Sequence, residues 1–516
     1  MAEHGFRKWI ITITVILASL LELIDTTVVN VSLPQIMGNL GATLEDVGWV
    51  VTSYAIANVI ILPMSGWLAL KFGRRNYFIS SIVLFTVASF FCGNAHNIWE
   101  LIAFRFIQGI GGGGLLSTSQ SILIETWPKE QIGMATAMFG LGVVVGPTLG
   151  PTIGGYITDH FSWPWIFYVN IPLGIVAILL SLEFIRGKKD ITMQGKIDWL
   201  GIFLLSASVG SLQVVLERGE SEDWFSTTYI TVLSFVAVIG LIAFIWQELS
   251  IDNPVVNLRI LKKRSFSIGI FTTFILGFGL FGSVFIFPVF AQNLIGFTSQ
   301  QTGELMIPGG LTTIFMMPLV GMMLRKKIPA QLMAVIGFVM FFIFTEMLRH
   351  ANLQSGWNDF AWALVVRGLG LSLLFVPLTT LALSGLEGKE IPQGTGLNNM
   401  MRQLGGSFGI AIITTMLHLR QGYHRNILLE NINQYNPAFT ERFNAYVNGF
   451  VAKGFSMADA QQAAYKAIEG AVVRQTYLLS YLDGFYFVGV FFLFCIPLLF
   501  LQPISKSGNA PPADAH

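Results

Sequence analysis

Apolar stretches of about 20 residues, the length of helix that crosses a hydrocarbon core, recur from one end of the 516-residue chain to the other. They lie near 9–32, 47–70, 77–95, 100–124, 132–157, 165–185, 199–216, 228–247, 266–291, 303–324, 330–348, 360–384, 397–418 and 485–502, fourteen in all. In lipid a backbone amide finds no water, so each such stretch must satisfy its own N–H and C=O groups as a helix. The expectation is an all-α membrane protein. Composition agrees, because hydrophobic residues make up 53% of the chain and charged residues only 11%. A soluble domain carries about 25% charged residues, and this chain could not dress a water-facing surface with so few.

An even number of spans puts both termini on one side, and the distribution of Lys and Arg says which. With a cytoplasmic N-terminus, nineteen of the 30 basic residues fall on that side, including Lys71, Arg74, Arg75, Arg186, Lys188, Lys189, Lys262, Lys263, Arg264, Arg325, Lys326 and Lys327. Eight fall outside, six of them in one long loop at about 419–484, and Arg105, Arg367 and Arg402 lie within spans. Both termini are therefore expected in the cytoplasm. The N-terminal run has no small-residue cleavage site and carries Glu22 and Asp25, so it reads as a retained first helix rather than a signal peptide. Cys92 and Cys495 both fall in spans, which argues against a structural disulfide.

The sequence contains no zinc spacing, Walker loop or nucleophile elbow. An ATP-driven pump is not supported, and neither is a membrane-embedded enzyme with convergent catalytic groups. No cofactor and no nucleic-acid partner is expected; the energy must come from an ion gradient or from the solute's own.

The chain repeats itself. Gly66 leads into the basic loop Lys71-Phe-Gly73-Arg74-Arg75, and Gly321 leads into Arg325-Lys-Lys327. Arg105 precedes Gly109 and Gly111 to Gly114, as Arg367 precedes Gly368 and Gly370. A glycine-rich span follows in each half. The expected organisation is an N-terminal six-helix half (1–190), an inserted helix pair (191–258), and a C-terminal six-helix half (259–516) with the external loop at about 419–484. Repeats of this kind build many secondary transporters, with the site at their interface.

These residues resemble the major facilitator superfamily, specifically its fourteen-span drug:proton antiporters of the EmrB/QacA type. Leu23-Ile-Asp25-Thr-Thr-Val-Val-Asn30-Val-Ser-Leu-Pro34 is similar to that family's first-helix signature. Gly66 to Arg75 resembles motif A, Arg105-Phe-Ile-Gln108-Gly109 motif B, and Gly142 to Gly155, with Gly146, Pro147, Gly150 and Gly154, the antiporter motif C. Leu70 stands where motif A carries an Asp that takes part in a charge relay. In the external loop, Asn431 to Pro437, Gly454 to Ser456 and Tyr481 to Asp483 resemble the Gram-negative EmrB branch. The resemblance implies proton-coupled export of lipophilic, cationic or amphipathic small molecules across a bacterial inner membrane, surrounded by membrane lipid and driven by the proton gradient. It also implies a periplasmic adaptor and an outer-membrane channel. An exporter of one physiological solute, such as a siderophore, lipid or metabolite, would share the fold.

Glu22 and Asp25, three residues apart, share a helix face. An intramembrane carboxylate is costly unless paired or wetted, and two neighbours of like charge suit the exchange of a proton for a substrate. Asp25 lies within the signature and is the expected proton site; Glu22 tunes it or attracts cations. Both also fit a structural role, hydrogen-bonded into the bundle. Arg105 needs a partner, either a first-helix carboxylate or backbone carbonyls. Arg367, Arg402 and Glu346 are secondary candidates, and Glu346 and Glu304 lie near external span ends, where they can reach water. Gly146, Pro147, Gly150 and Gly154 allow close helix approach and a bend. Gly66, Gly73, Arg74 and Arg75 fit either a conformational latch or ordinary anchoring. Ala458 to Ile468 in the long loop has helical periodicity, which fits adaptor docking or a simple cap.

Overall fold

The structure is a computed structural model that describes residues 5–187, 197–433 and 435–501. Lys188, Lys189, the expected boundary near 190, residue 434 and everything after 501 lie outside the described residues. Among the described residues there is no β-strand. The first helices are α1 (Phe6–Leu40), α2 (Leu44–Phe72), α3 (Arg74–Gly93), α4 (Ile98–Thr126) and α5 (Ile132–His160). The expected span at 165–185 is broken into a short α6 (Trp165–Tyr168) and α7 (Asn170–Phe184). The pair α8 (Trp199–Arg218) and α9 (Thr228–Ser250) follows, then α10 (Arg264–Phe290), α11 (Ser299–Arg325), α12 (Ala330–Arg349), α13 (Trp357–Leu383) and α14 (Glu390–Glu430). The chain ends in α15 (Pro437–Ala452) and α16 (Met457–Phe500).

Among the described residues, twelve stretches are long and apolar enough to cross a membrane. The other two expected spans coincide with α4 and α14, which are as long but diluted by glycine, by hydroxyl and amide side chains, and by Arg105 and Arg402. Both are buried over most of their apolar length, so their polar residues face other helices.

Helix packing repeats with the sequence. In the first half α1 packs on α5, α2 and α3 on α4, and α3 on α7; in the second, α10 packs on α14, α11 and α12 on α13, and α12 on α16. The two most extensive contacts between the halves are α5 with α11 and α14 with α2, and they are related by the same correspondence. The α8–α9 pair attaches through α8 to α2 and α14, and α9 is largely exposed, with Phe235, Ile239, Ile242 and Trp246 facing outward as lipid-facing side chains do.

Glycine sets the distance at these crossings. A Cβ on Gly66 would sit 2.5 Å from the Pro392 carbonyl oxygen and 2.6 Å from the Gln393 backbone, so α2 and α14 touch backbone to backbone. Such approaches replace the hydrophobic effect as the driving force between helices in lipid. Gly73, at φ +81°, makes the turn between α2 and α3 that a Cβ would strain.

The long loop is helical, as the periodicity of Ala458 to Ile468 predicts. Residues 419–484 are mostly helix, because α14 and α16 run on past the apolar stretches as far as Glu430 and back to Met457. With α15 they form a small hairpin packed on Val447, Ala460 and Ala464. It is pinned by Arg425–Glu469 at 2.6 Å, Arg420–Asp483 at 2.8 Å and His424–Asp483 at 2.7 Å.

Candidate functional site

Asp25 sits near the middle of α1 and is 1% exposed. Its Oδ2 accepts from Arg105 Nη1 at 2.5 Å. Its Oδ1 accepts from Gln108 Nε2 at 2.9 Å and from Asn170 Nδ2 at 2.8 Å. Arg105 and Gln108 lie one turn apart on α4, so one helix face delivers both, while the break between α6 and α7 presents Asn170. The guanidinium also donates through Nη1 to Gln108 Oε1 at 2.7 Å and through Nε to the Val50 carbonyl at 3.2 Å. It lies 4.2 Å from the centre of the Tyr54 ring, within cation–π range. Gln108 completes its set by donating to Ser89 Oγ at 2.8 Å. Charge on both partners is matched by hydrogen bonds from four helices, which a buried ion pair needs to offset its desolvation.

Glu22 occupies a different environment. It is 3% exposed, accepts from Asn58 Nδ2 at 2.9 Å through Oε1, and leaves Oε2 without a hydrogen-bond partner. The two carboxylates share a helix face but no hydrogen bond. Arg402 on α14 lies within electrostatic reach of Glu22.

The glycines after Arg105 make room for this cluster. A Cβ on Gly109 would meet the Tyr54 carbonyl oxygen at 2.5 Å, and one on Gly112 would meet Glu22 Cγ at 3.2 Å. Motif C flanks Asp25 from the other side. A Cβ on Gly146 would lie 2.8 Å from Leu23 Cβ and one on Gly154 3.0 Å from the Val28 carbonyl oxygen, with Gly150 set against Thr27 between them. Pro147 is buried in the same helix. The stripe therefore fixes α5 against the turns of α1 that carry Asp25.

Gly66, Gly73, Arg74 and Arg75 gather at one end of the bundle. Arg74 pairs with Glu125 of α4, which supplies a carboxylate to the motif where Leu70 is buried in the core. Arg75 Nη2 donates to the Leu182 carbonyl at 2.6 Å. Also at this end Lys129 meets Glu387 at 2.6 Å, and Lys263 meets Glu390 at 2.5 Å. Hydrogen bonding to these lysines holds both carboxyls below the usual carboxylate range. Arg367 is buried beside Phe344 of α12. Glu346 is half-exposed and faces Arg349 at 3.4 Å.

Sequence reasoning anticipated Asp25 and Arg105 but not Asn58, Asn170 or Glu125. The signal for the first two was present: each is a lone amide in an otherwise apolar run, which in lipid requires a partner.

Residues 15–410 match the Major Facilitator Superfamily. The chain belongs to this superfamily. A major facilitator architecture accounts for the repeated packing and for the join between halves through α5–α11 and α14–α2. Over 510 residues the chain is 34% identical to the multidrug export protein EmrB of Escherichia coli K12, covering 98% of each. It is 35% identical over 503 residues to the EmrB of Haemophilus influenzae, covering 97% of each. The crystal structure of the human organic anion transporter MFSD10 shares the fold at a TM-score of 0.61 and 12% identity, covering 95% of this chain and 99% of that one. This major facilitator is a multi-pass membrane protein and a transporter.

Proposed function

We propose that this protein exports lipophilic and amphipathic toxic compounds across a bacterial inner membrane in exchange for protons. The substrate class is supported by full-length identity to multidrug export proteins. The coupling rests on one observation above all, the Asp25–Arg105 pair, buried in the first helix and tied to α4 and α7. A proton entering from outside neutralises Asp25, so Arg105 loses its ionic partner and keeps only Gln108 and the Val50 carbonyl. The helices joined through Asp25 then loosen together. Loss of the proton to the cytoplasm restores the pair and accompanies capture of the next substrate. Glu22 tunes that exchange, with its free oxygen open to a proton or to a substrate cation. Arg367 and Glu346 are secondary to this path.

In this reading α4 and α14 complete fourteen spans, both termini are cytoplasmic, and the two six-helix halves rock about the α5–α11 and α2–α14 contacts. The motif A end with its ion pairs is the cytoplasmic latch, and the motif C glycines are the joint between α1 and α5. No cofactor is needed beyond the proton gradient. The outer hairpin docks a periplasmic adaptor that leads to an outer-membrane channel.

The test is substrate-driven proton release from the purified protein. Wild type releases protons when a lipophilic drug binds, Asp25→Asn does not, and Glu22→Gln retains the response at altered amplitude. Unchanged release in both variants removes the proton site. If cells with and without the protein show no difference in resistance to any toxic compound, a single physiological solute such as a siderophore, lipid or metabolite becomes the better reading.

A further inference from the structure

Arg105 has Asp25, and the buried Arg218 has Glu222 at 3.3 Å. Arg402 has no such partner among the described residues. It is 2% exposed, and neither Nη1 nor Nη2 meets a hydrogen-bond acceptor. A guanidinium does not shed its charge in a protein, and an uncompensated buried cation is strongly disfavoured. Arg402 therefore lacks a contacting counter-charge.

The surroundings indicate what completes it. Arg402 lies 5.9 Å from the centre of the Phe139 ring on α5 and 5.6 Å from that of Phe375 on α13. Both rings are buried, and Met317 of α11 packs close to Phe375 beside Gly140. Glu22 of α1 reaches Arg402 electrostatically without forming an ion pair, and its Oε2 is also unpartnered. The site thus draws on both halves of the bundle. Arg367, whose Nε and Nη1 also lack acceptors, lies beside Phe344 of α12, a residue of its own half. The Arg402 backbone is firmly seated: α10 crosses it so closely at Gly277 that a Cβ there would collide with the Arg402 carbonyl. One turn earlier, Asn399 donates to Gln120 of α4 at 2.8 Å.

A planar fork of donors beside two aromatic rings, themselves 6.4 Å apart, matches a carboxylate carried on an apolar ring system, which it binds through two parallel charge-assisted bonds. We infer that Arg402 anchors the acidic group of an amphipathic organic anion, with its apolar body against Phe139 and Phe375, and that Glu22 is the counter-charge the ligand replaces. This rests on the export reading and names one substrate class within it. The site opens to ligand as the two halves separate.

The experiment compares three ligands of one shape on the detergent-solubilised full chain: naphthoate, its neutral amide, and a naphthylmethylammonium cation. Wild type binds the carboxylate about tenfold or more tighter than the amide. Arg402→Gln loses that preference and still binds the cation, which also shows that the variant is folded. Arg402→Lys keeps the charge without the fork and falls between. Glu22→Gln, which removes the competing anion, tightens the carboxylate and weakens the cation. A purely structural arginine would not move the two ligands in opposite directions. Equal binding of carboxylate and amide, or a preference that survives Arg402→Gln, overturns the inference while cation binding leaves export standing. Failure of all three ligands to bind overturns both.

Discussion

The two carboxylates of α1 are neighbours in sequence and strangers in structure. Asp25 accepts three hydrogen bonds and faces a guanidinium; Glu22 accepts one and keeps an oxygen unpartnered. Their replacements differ accordingly. Asp25→Asn leaves a buried arginine without its counter-ion, and breaking a buried pair in this way costs about 3–5 kcal/mol. A clear fall in the thermal unfolding midpoint is expected beside the loss of coupling. Glu22→Gln preserves an acceptor for Asn58 and removes no ion pair at contact distance, so its cost is below about 1 kcal/mol. Midpoints of the two variants in the same detergent check the contrast. An equal fall in both would mean that Glu22 is as deeply committed to the fold as Asp25. How far this was legible in the sequence follows from the same residues. A first-helix acid and an α4 arginine announce each other, because neither charge survives alone in lipid. Asn170 and Asn58 announced only that they needed partners, since pairing across 145 and 36 positions is set by the fold.

Among elements, the crossing of α2 and α14 carries the most information per residue. Gly66→Ala places a methyl against the Pro392 and Gln393 backbone, which unlike a flexible side chain cannot yield cheaply. Overpacking of this kind costs about 1–3 kcal/mol, and the helices can relieve it by moving apart. Gly66→Ala should therefore bias the bundle toward opening at the motif A end. Faster labelling there by a water-soluble thiol reagent, at a cysteine introduced on the buried face of α14, checks this; labelling at the wild-type rate would mean that the crossing relaxes locally. The glycine periodicity was readable in advance, but the identity of the opposing backbone was not. The helicity of 419–484 was legible as well, through the helical period of Ala458 to Ile468. The polar residues that set α4 and α14 apart from the other spans are mostly buried in the bundle, and some of them, such as Arg105 and Asn399, bond to other helices.

At the scale of the whole molecule, Lys129–Glu387 links the end of α4 to the connection between α13 and α14, and so joins one half to the other. Glu387 is held below the ordinary carboxylate range by the Lys129 hydrogen bond and charge. A depressed acid contributes stability that is present above its unfolded pKa of about 4.3 and lost as pH falls through its lower folded value. At neutral pH the link is complete, so physiological acidification leaves it closed. Salt and charge reversal do not, because the pair is exposed and screened. Glu387→Lys should raise thiol labelling at the motif A end, and the double swap Lys129→Glu with Glu387→Lys should return it toward wild type. Failure of the double swap to restore closure would assign that end's stability to the glycine crossings alone.

α14 has one more consequence. It is a single helix of 41 residues, about 60 Å long at 1.5 Å per residue, against a hydrocarbon core of about 30 Å. Arg402 and the Gly66 crossing lie on its N-terminal portion, and the Arg425–Glu469 contact lies near its C-terminal tip. Because no break separates these regions, α14 is a lever arm. A small tilt that opens the bundle at one end becomes a larger sweep of the hairpin at the other, so a movement among buried side chains arrives at the far end as mechanical displacement.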